Sequence, residues 1–314
     1  MCRWLVVTFL FVGLPLAAAA QDLRLPNQDR SVKFAVIGDS GHPGSGQRRI
    51  AQQMAAWRTR FPFEFVLMLG DNLYGSERPA DYQQKFELPY RPLLDAGVKF
   101  YAALGNHDDD GQILYKPFNM GGKKYYSFKP ANGVRFFALD SNYVDGKQVD
   151  WLHTELMASG SDWKIAFFHH PLYSSGTTHG SADLQRELLE PVFVKNGVNV
   201  VLMGHEHFYE RIKPQKGIAY FIVGSSSKLR KGDLKKSDLT VYGNDSDYSF
   251  MLVEVIGDEL YFQAITDKGV TIDAGSIRRV GTVEPTPSVT AQPVAPQAKP
   301  SPTQPGPTPT PRKQ

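Results

Sequence analysis

Five short apolar runs in this chain give way at once to a polar residue able to bind a cation. Ile37 is followed by Gly38-Asp39-Ser40-Gly41, and Leu69 by Gly70-Asp71-Asn72-Leu73-Tyr74. Leu104 leads into Gly105-Asn106-His107-Asp108, Phe168 into His169-His170, and Met203 into Gly204-His205-Glu206-His207. The runs cover residues 33–37, 63–69, 99–104, 164–168 and 198–203, with two similar ones at 135–139 and 218–223. Their length and their β-branched and aromatic content predict buried strands. Helical patterns fill the gaps at 47–60, 81–94, 148–157 and 183–195, the last with Pro191 as a kink point. Strands alternating with helices predict α/β layers. Residues 248–255 and 260–265 flank a Gly257-Asp258 turn and read as a β-hairpin.

In layered α/β folds, ligand sites gather outside the carboxyl ends of strands. A glycine there lets the backbone turn sharply and expose the next side chain. Any one of these segments alone is as well explained as a turn. All five together, in one chain and each at a strand end, point to a site.

The order Gly-Asp-x-Gly, Gly-Asp-x-x-Tyr, Gly-Asn-His-Asp, His, Gly-His-x-His resembles the calcineurin-like metallophosphoesterases, and Tyr74 in the second motif narrows this to the purple acid phosphatases. The resemblance spans roughly residues 33–211, with all five motifs intact. It implies a four-layer α/β/β/α sandwich of two mixed β-sheets flanked by helices, with a site at one edge. It also implies two metal ions sharing Asp71. Asp39, Asp71, Tyr74 and His207 would hold the first; Asp71, Asn106, His169 and His205 would hold the second. An anionic oxygen set with a tyrosine, whose ordinary pKa is near 10, suits Fe(III). Two imidazoles and an amide suit a divalent ion such as Zn, Mn or Fe(II). The implied reaction is hydrolysis of phosphate monoesters, with water activated by the metals as the nucleophile.

A leaving alkoxide needs a proton donor, and histidine titrates near working pH. His107 is the leading candidate, with Asp108 placed to orient its ring. His179, in the loop that follows His170-Pro171, is the second. His170 and His42 read as outer residues, and His153, within a helical pattern, as structural. Asp140-Ser141 reads as a structural turn and Ser225-Ser226-Ser227 as a flexible loop. The basic stretch Lys228-Leu229-Arg230-Lys231 could attract anions, but a solvated loop explains it as well.

The ends of the chain are different in kind. Arg3, an uncharged apolar stretch at 4–16 and the small residues Ala17 to Ala20 predict a signal peptide over residues 1–20. Export to the periplasm or beyond follows. The one cysteine, Cys2, falls inside that signal, so a mature chain would have only oxygen and nitrogen to offer a metal. Ten of the 22 prolines lie between Pro285 and Pro311, which marks 284–314 as a Pro/Thr-rich tail, either a spacer or a plain disordered end. The catalytic domain is expected over 31–280.

A net charge of +3 over 314 residues argues against a nucleic-acid binder. No segment after the signal is expected to span a membrane, and the expected partner is a small phosphorylated substrate. Nothing in the sequence speaks to oligomeric state. A phosphodiesterase would use the same ligands. A non-catalytic metal or phosphate carrier would need the ligands without a proton donor.

Overall fold

A computed structural model describes residues 22–131 and 133–279. The stretch expected to be a signal peptide, 1–20, and the expected Pro/Thr-rich tail, 284–314, lie outside the described residues. Two mixed sheets make up the centre. The first runs, in spatial order, β13 (Thr271–Arg278), β12 (Glu259–Thr266), β11 (Ser249–Ile256), β1 (Val32–Ile37), β2 (Phe65–Leu69), β3 (Lys99–Ala103). The second runs β10 (Thr240–Asn244), β8 (Tyr209–Gln215), β9 (Ile218–Val223), β7 (Val200–Met203), β6 (Trp163–Phe168), β5 (Val134–Ala138), β4 (Tyr126–Ala131). β1, β2 and β3 are parallel, as are β5, β6, β7 and β9, so their carboxyl ends share an edge within each sheet.

Burial on both faces explains why these strands read as unbroken apolar runs. Along β6, Ile165 and Phe167 join the core between the sheets, while Ala166 and Phe168 join the core under the outer helices. β7 divides in the same way, Val200 and Leu202 inward, Val201 and Met203 outward. The period of two is the strand's own geometry. Between the sheets, Phe34 stacks on Phe65 at 5.3 Å and meets Phe136 edge-on at 5.1 Å. Each such buried ring contributes roughly 1.5–3 kcal/mol by leaving water.

On the first sheet, α1 (Ser45–Arg58) presses Ile50, Met54 and Trp57 inward and packs beside α3 (Leu88–Asp95). α3 continues α2 (Pro79–Tyr82) through a wide turn at Gln83–Glu87, the expected helix at 81–94 in three pieces. On the second sheet, α4 (Gly146–Ala158) and α5 (Asp183–Asn196) lay Leu152, Leu156, Leu189 and Phe193 over β6 and β7. α5 runs through Pro191. The layers are therefore helix, sheet, sheet, helix.

The expected strands and the hairpin are present with ends shifted by a residue or two. β4, β8, β10 and β13 had no sequence signal. β4 and β10 are half-exposed edge strands, and β8 begins with Tyr209, Glu210 and Arg211, a polar run that is nonetheless buried. Arg211 accounts for part of this: its guanidinium makes a two-pronged pair with Asp273 of β13, at 2.7 and 3.0 Å, which ties the second sheet to the first.

Candidate metal centre

The strand ends of both sheets meet at one edge. A Cβ on Gly38 would stand 2.4 Å from Val223 O, so glycine alone lets the end of β1 approach β9. Asp39 and Asp71 then take φ of 52° each and His205 takes 70°. These are left-handed conformations that cost L residues energy and persist where the surroundings impose them. They turn the side chains back over the sheet ends.

Asp39 is fully buried. Its Oδ2 accepts the His205 backbone N–H at 2.8 Å, and its Oδ1 lies 3.1 Å from the Tyr74 hydroxyl and 3.5 Å from His207 Nε2. Tyr74 Oη is also 3.3 Å from His207 Nε2. Oxygens of Asp39 and Asp71 and a ring nitrogen of His207 all fall within 4.8 Å of one another. Asp71 faces the other half as well, with Oδ1 3.4 Å from His169 Nε2. That nitrogen lies 2.9 Å from Asn106 Oδ1 and 3.0 Å from His205 Nδ1. Asp39, Asp71, Tyr74, Asn106, His169, His205 and His207 are thus brought together, with Asp71 between the two halves.

The donor set fits a cation. His169 Nδ1 lies 2.9 Å from Leu69 O, and a carbonyl only accepts, so the proton sits on Nδ1 and Nε2 presents its lone pair. One lone pair then faces three polar atoms. A proton on His205 Nδ1 would serve it, yet Asn106 Oδ1 and Asp71 Oδ1 would still crowd it as acceptors. A positive ion among the four satisfies them all. The electrostatics agree. Burial, and after it the neighbouring Asp71 charge, hold the Asp39 carboxyl well above the usual range, so its charged form needs a positive partner. Burial and the adjacent His169 and His170 rings push His205 down to about 2. Burial with Arg230 and Lys228 pushes His207 down to about 4. Neutral imidazoles are the ligating form. Burial and the Asp39 and Asp71 charges drive the Tyr74 phenol far above 10, so only a strong Lewis acid would take its proton.

The two candidate proton donors flank the cluster. The His107 ring lies 4.9 Å from the Tyr74 ring, and its backbone N–H donates to Asp71 Oδ1 at 3.0 Å. The His179 ring lies 4.2 Å from that of His205. His42 stands 6.2 Å from Tyr74, and His153 pairs with Asn196, joining α4 to the end of α5.

Three expectations need correction. Asp108 makes no hydrogen bond to the His107 ring. Its carboxylate instead accepts the backbone N–H groups of Gly105, Asn72 and Leu73 at 2.8, 3.1 and 3.0 Å, locking the second and third motifs together. Ser141 is more than a turn residue, since its hydroxyl meets His170 Nδ1 at 2.9 Å and accepts the His170 N–H at 3.0 Å. Ser225, Ser226 and Ser227 are buried rather than flexible. Ser226 donates to Ser249 O and accepts from Gly38; Ser227 donates to Asp39 O and accepts from His42. Small hydroxyls suit the crowded sheet edge, where Ser226 and Ser227 each find both a donor and an acceptor and Ser225 pairs with the Ser249 hydroxyl.

Glu206 carried no expectation, although it lies between two motif histidines. Its buried carboxylate accepts Gly180 N–H at 2.8 Å and the Ser174 hydroxyl at 3.1 Å, so it holds the loop that carries His179. A Cβ on Gly176 would lie 2.4 Å from Glu206 Oε1. A charged residue at the centre of Gly-His-x-His, followed by a buried strand, was the available signal.

Fold and site together define a phosphoric ester hydrolase of the metal-associated kind. The calcineurin-like phosphoesterase family model matches residues 32–209, and the chain belongs to that family. Purple acid phosphatase 17 of Arabidopsis thaliana is 29% identical over 244 residues, 66% of this chain and 71% of the relative. Among solved structures, purple acid phosphatase PPD1 from yellow lupin (Lupinus luteus) superimposes with TM-score 0.67 at 19% identity, covering 81% of this chain and 55% of that one. The GAP50 anchor in the inner membrane complex of Plasmodium gives TM-score 0.70 at 20% identity, over 80% of this chain and 90% of that one. At these identities the two structures speak for the fold alone. No helix among the described residues is long and apolar enough to cross a membrane.

Proposed function

We propose that this chain is an exported acid phosphatase that hydrolyses phosphate monoesters at a two-metal centre. The supporting observation is the convergence of Asp71 with both halves of the acceptor cluster, His207 and Asp39 on one side, His169 on the other. Asp39, Asp71, Tyr74 and His207 would hold Fe(III), and Asp71, Asn106, His169 and His205 a divalent ion. A bound pair of this kind supplies Lewis acidity, which acidifies water and polarises the phosphoryl group. The chain's own residues do the rest. Leu69 O keeps His169 in the ligating tautomer. His107 and His179, one on each side of the cluster, would give the leaving oxygen its proton. Glu206 fixes the loop that presents His179.

Substrates would be small phosphorylated molecules, without nucleic-acid binding, and the signal peptide reading supports an exported location. Purified protein should bind two metals, absorb in the visible through iron bound to a phenolate, and turn over nitrophenyl phosphate faster than bis-nitrophenyl phosphate. Turnover of the diester alone would replace the monoesterase reading with a phosphodiesterase one. A colourless, fully active protein would remove iron from it.

A further inference from the structure

Two cations in the loop after β9 act on the candidate centre, and only one of them is neutralised. Arg230 Nη1 lies 3.4 Å from Asp233 Oδ2 and 3.8 Å from Glu206 Oε2, so two carboxylates share its charge. Lys228 is different. Its Nζ stands 4.0 Å from the centroid of the Tyr74 ring, and no carboxylate among the described residues forms an ion pair with it. Its charge is felt nearby: after burial, Lys228 is the next influence holding the His42 imidazole down, and it acts on His207 as well.

The position is built rather than incidental. Lys228 directly follows Ser225, Ser226 and Ser227, all buried and all hydrogen-bonded to the sheet edge, with Ser227 fastened to Asp39 O itself. The backbone that carries Lys228 is thus fixed at the sheet edge, and contact with the Tyr74 ring orients its side chain. The aromatic face attracts one side of the ammonium. Its remaining N–H groups have no acceptor among the described residues, and an ammonium is a compact point charge suited to phosphate oxygens. The same Tyr74 whose hydroxyl meets Asp39 and His207 therefore carries an unmatched positive charge on its ring.

We propose that Lys228 forms a second anion subsite beside the centre, which selects substrates carrying a further phosphoryl group next to the one that is cleaved. The proposal rests on the hydrolase reading above and narrows its substrate class to phosphoanhydrides and closely spaced bisphosphates. The test uses full-length, metal-loaded protein with inorganic pyrophosphate and phenyl phosphate. Lys228→Met should lower the ratio of kcat/KM for pyrophosphate over phenyl phosphate by about fivefold to tenfold, chiefly through KM, and Lys228→Arg should recover most of it. An unchanged ratio in Lys228→Met overturns the subsite, as does an equal fall on both substrates. Calorimetric binding of pyrophosphate and of inorganic phosphate to the same proteins separates the two claims. If wild type binds two metals but turns over neither substrate, the hydrolase reading falls; the subsite still stands if Lys228→Met weakens pyrophosphate about fivefold more than phosphate, and falls if it does not.

Discussion

The Nδ1–H of His169 donates to the carbonyl oxygen of Leu69 at 2.9 Å, so the last residue of a core strand sets the tautomer of a histidine from the other sheet. In the proposed two-metal reading, this makes His169 the least replaceable ligand of the second ion. His169→Ala should reduce metal content to about one ion per chain. It should also lower kcat/KM by more than the roughly 100-fold typical of losing an outer partner of a ligand. Metal analysis alongside nitrophenyl phosphate turnover checks both; two ions retained would exclude His169 as a ligand.

His107 is exposed beside Tyr74 and takes no part in the cluster of acceptors. His107→Ala is therefore expected to keep both metals and lose about 100-fold to 10,000-fold in kcat, the range of general acid catalysis. Unaltered turnover would pass the proton-donor role to His179.

The Arg211–Asp273 pair joins the two sheets inside the molecule, and Tyr209 also donates to Asp273 Oδ2 at 2.9 Å. Removing one partner leaves a buried charge alone. Asp273→Ala should destabilise the fold by about 3–5 kcal/mol, read from urea midpoints. Replacement of both residues by apolar ones should cost much less.

Gly176 rests against the Glu206 carboxylate, where a methyl group would sit 2.4 Å from Oε1. Gly176→Ala must push the loop outward, at a cost of about 1–3 kcal/mol. Because Gly180 in the same loop is held by Glu206, His179 moves with it. A thermal melt shows the first effect, and a fall in kcat with metal content intact shows the second.

Glu190 supplies a pH term away from the centre. Burial alone would raise its carboxyl, but Lys216 at 2.6 Å, Tyr173 at 2.6 Å and Tyr220 at 3.3 Å together hold it below the ordinary glutamate range. A folded pKa below the unfolded one gives stability that is present above the unfolded pKa and lost as pH falls through the folded one. Stability should thus decline on acidification from about pH 5 downward, and Glu190→Gln should flatten that decline. Equal slopes for the two proteins would contradict the assignment.

Much of this was legible in the sequence because the central strands are buried on both faces. Val200 to Met203 and Trp163 to Phe168 have no polar side to blur the signal except Lys164, and each ends where a polar residue begins abruptly. β10 and β13 gave no such signal because half-exposed strands carry mixed residues, and β8 gave none because Glu210 and Arg211 are buried with partners far away in sequence. The role of Glu206 was hidden for the same reason. Its partners, Ser174 and Gly180, lie 32 and 26 residues earlier. Long-range pairing of polar groups leaves no periodicity to read. The Ser225–Ser227 run shows the converse, since a composition typical of mobile loops became rigid through contacts with Gly38, Asp39 and Ser249.

Asp39, Asp71 and Asn106 follow strands of the first sheet, and His169, His205 and His207 follow strands of the second. Ions gripped by both sets would act as rivets across the seam. Such a protein gains rigidity from its cofactors as well as reactivity, so a chelator should lower its melting temperature by an amount that grows with the affinity it overcomes. Metal supply would then decide how long the folded chain survives, besides whether it works.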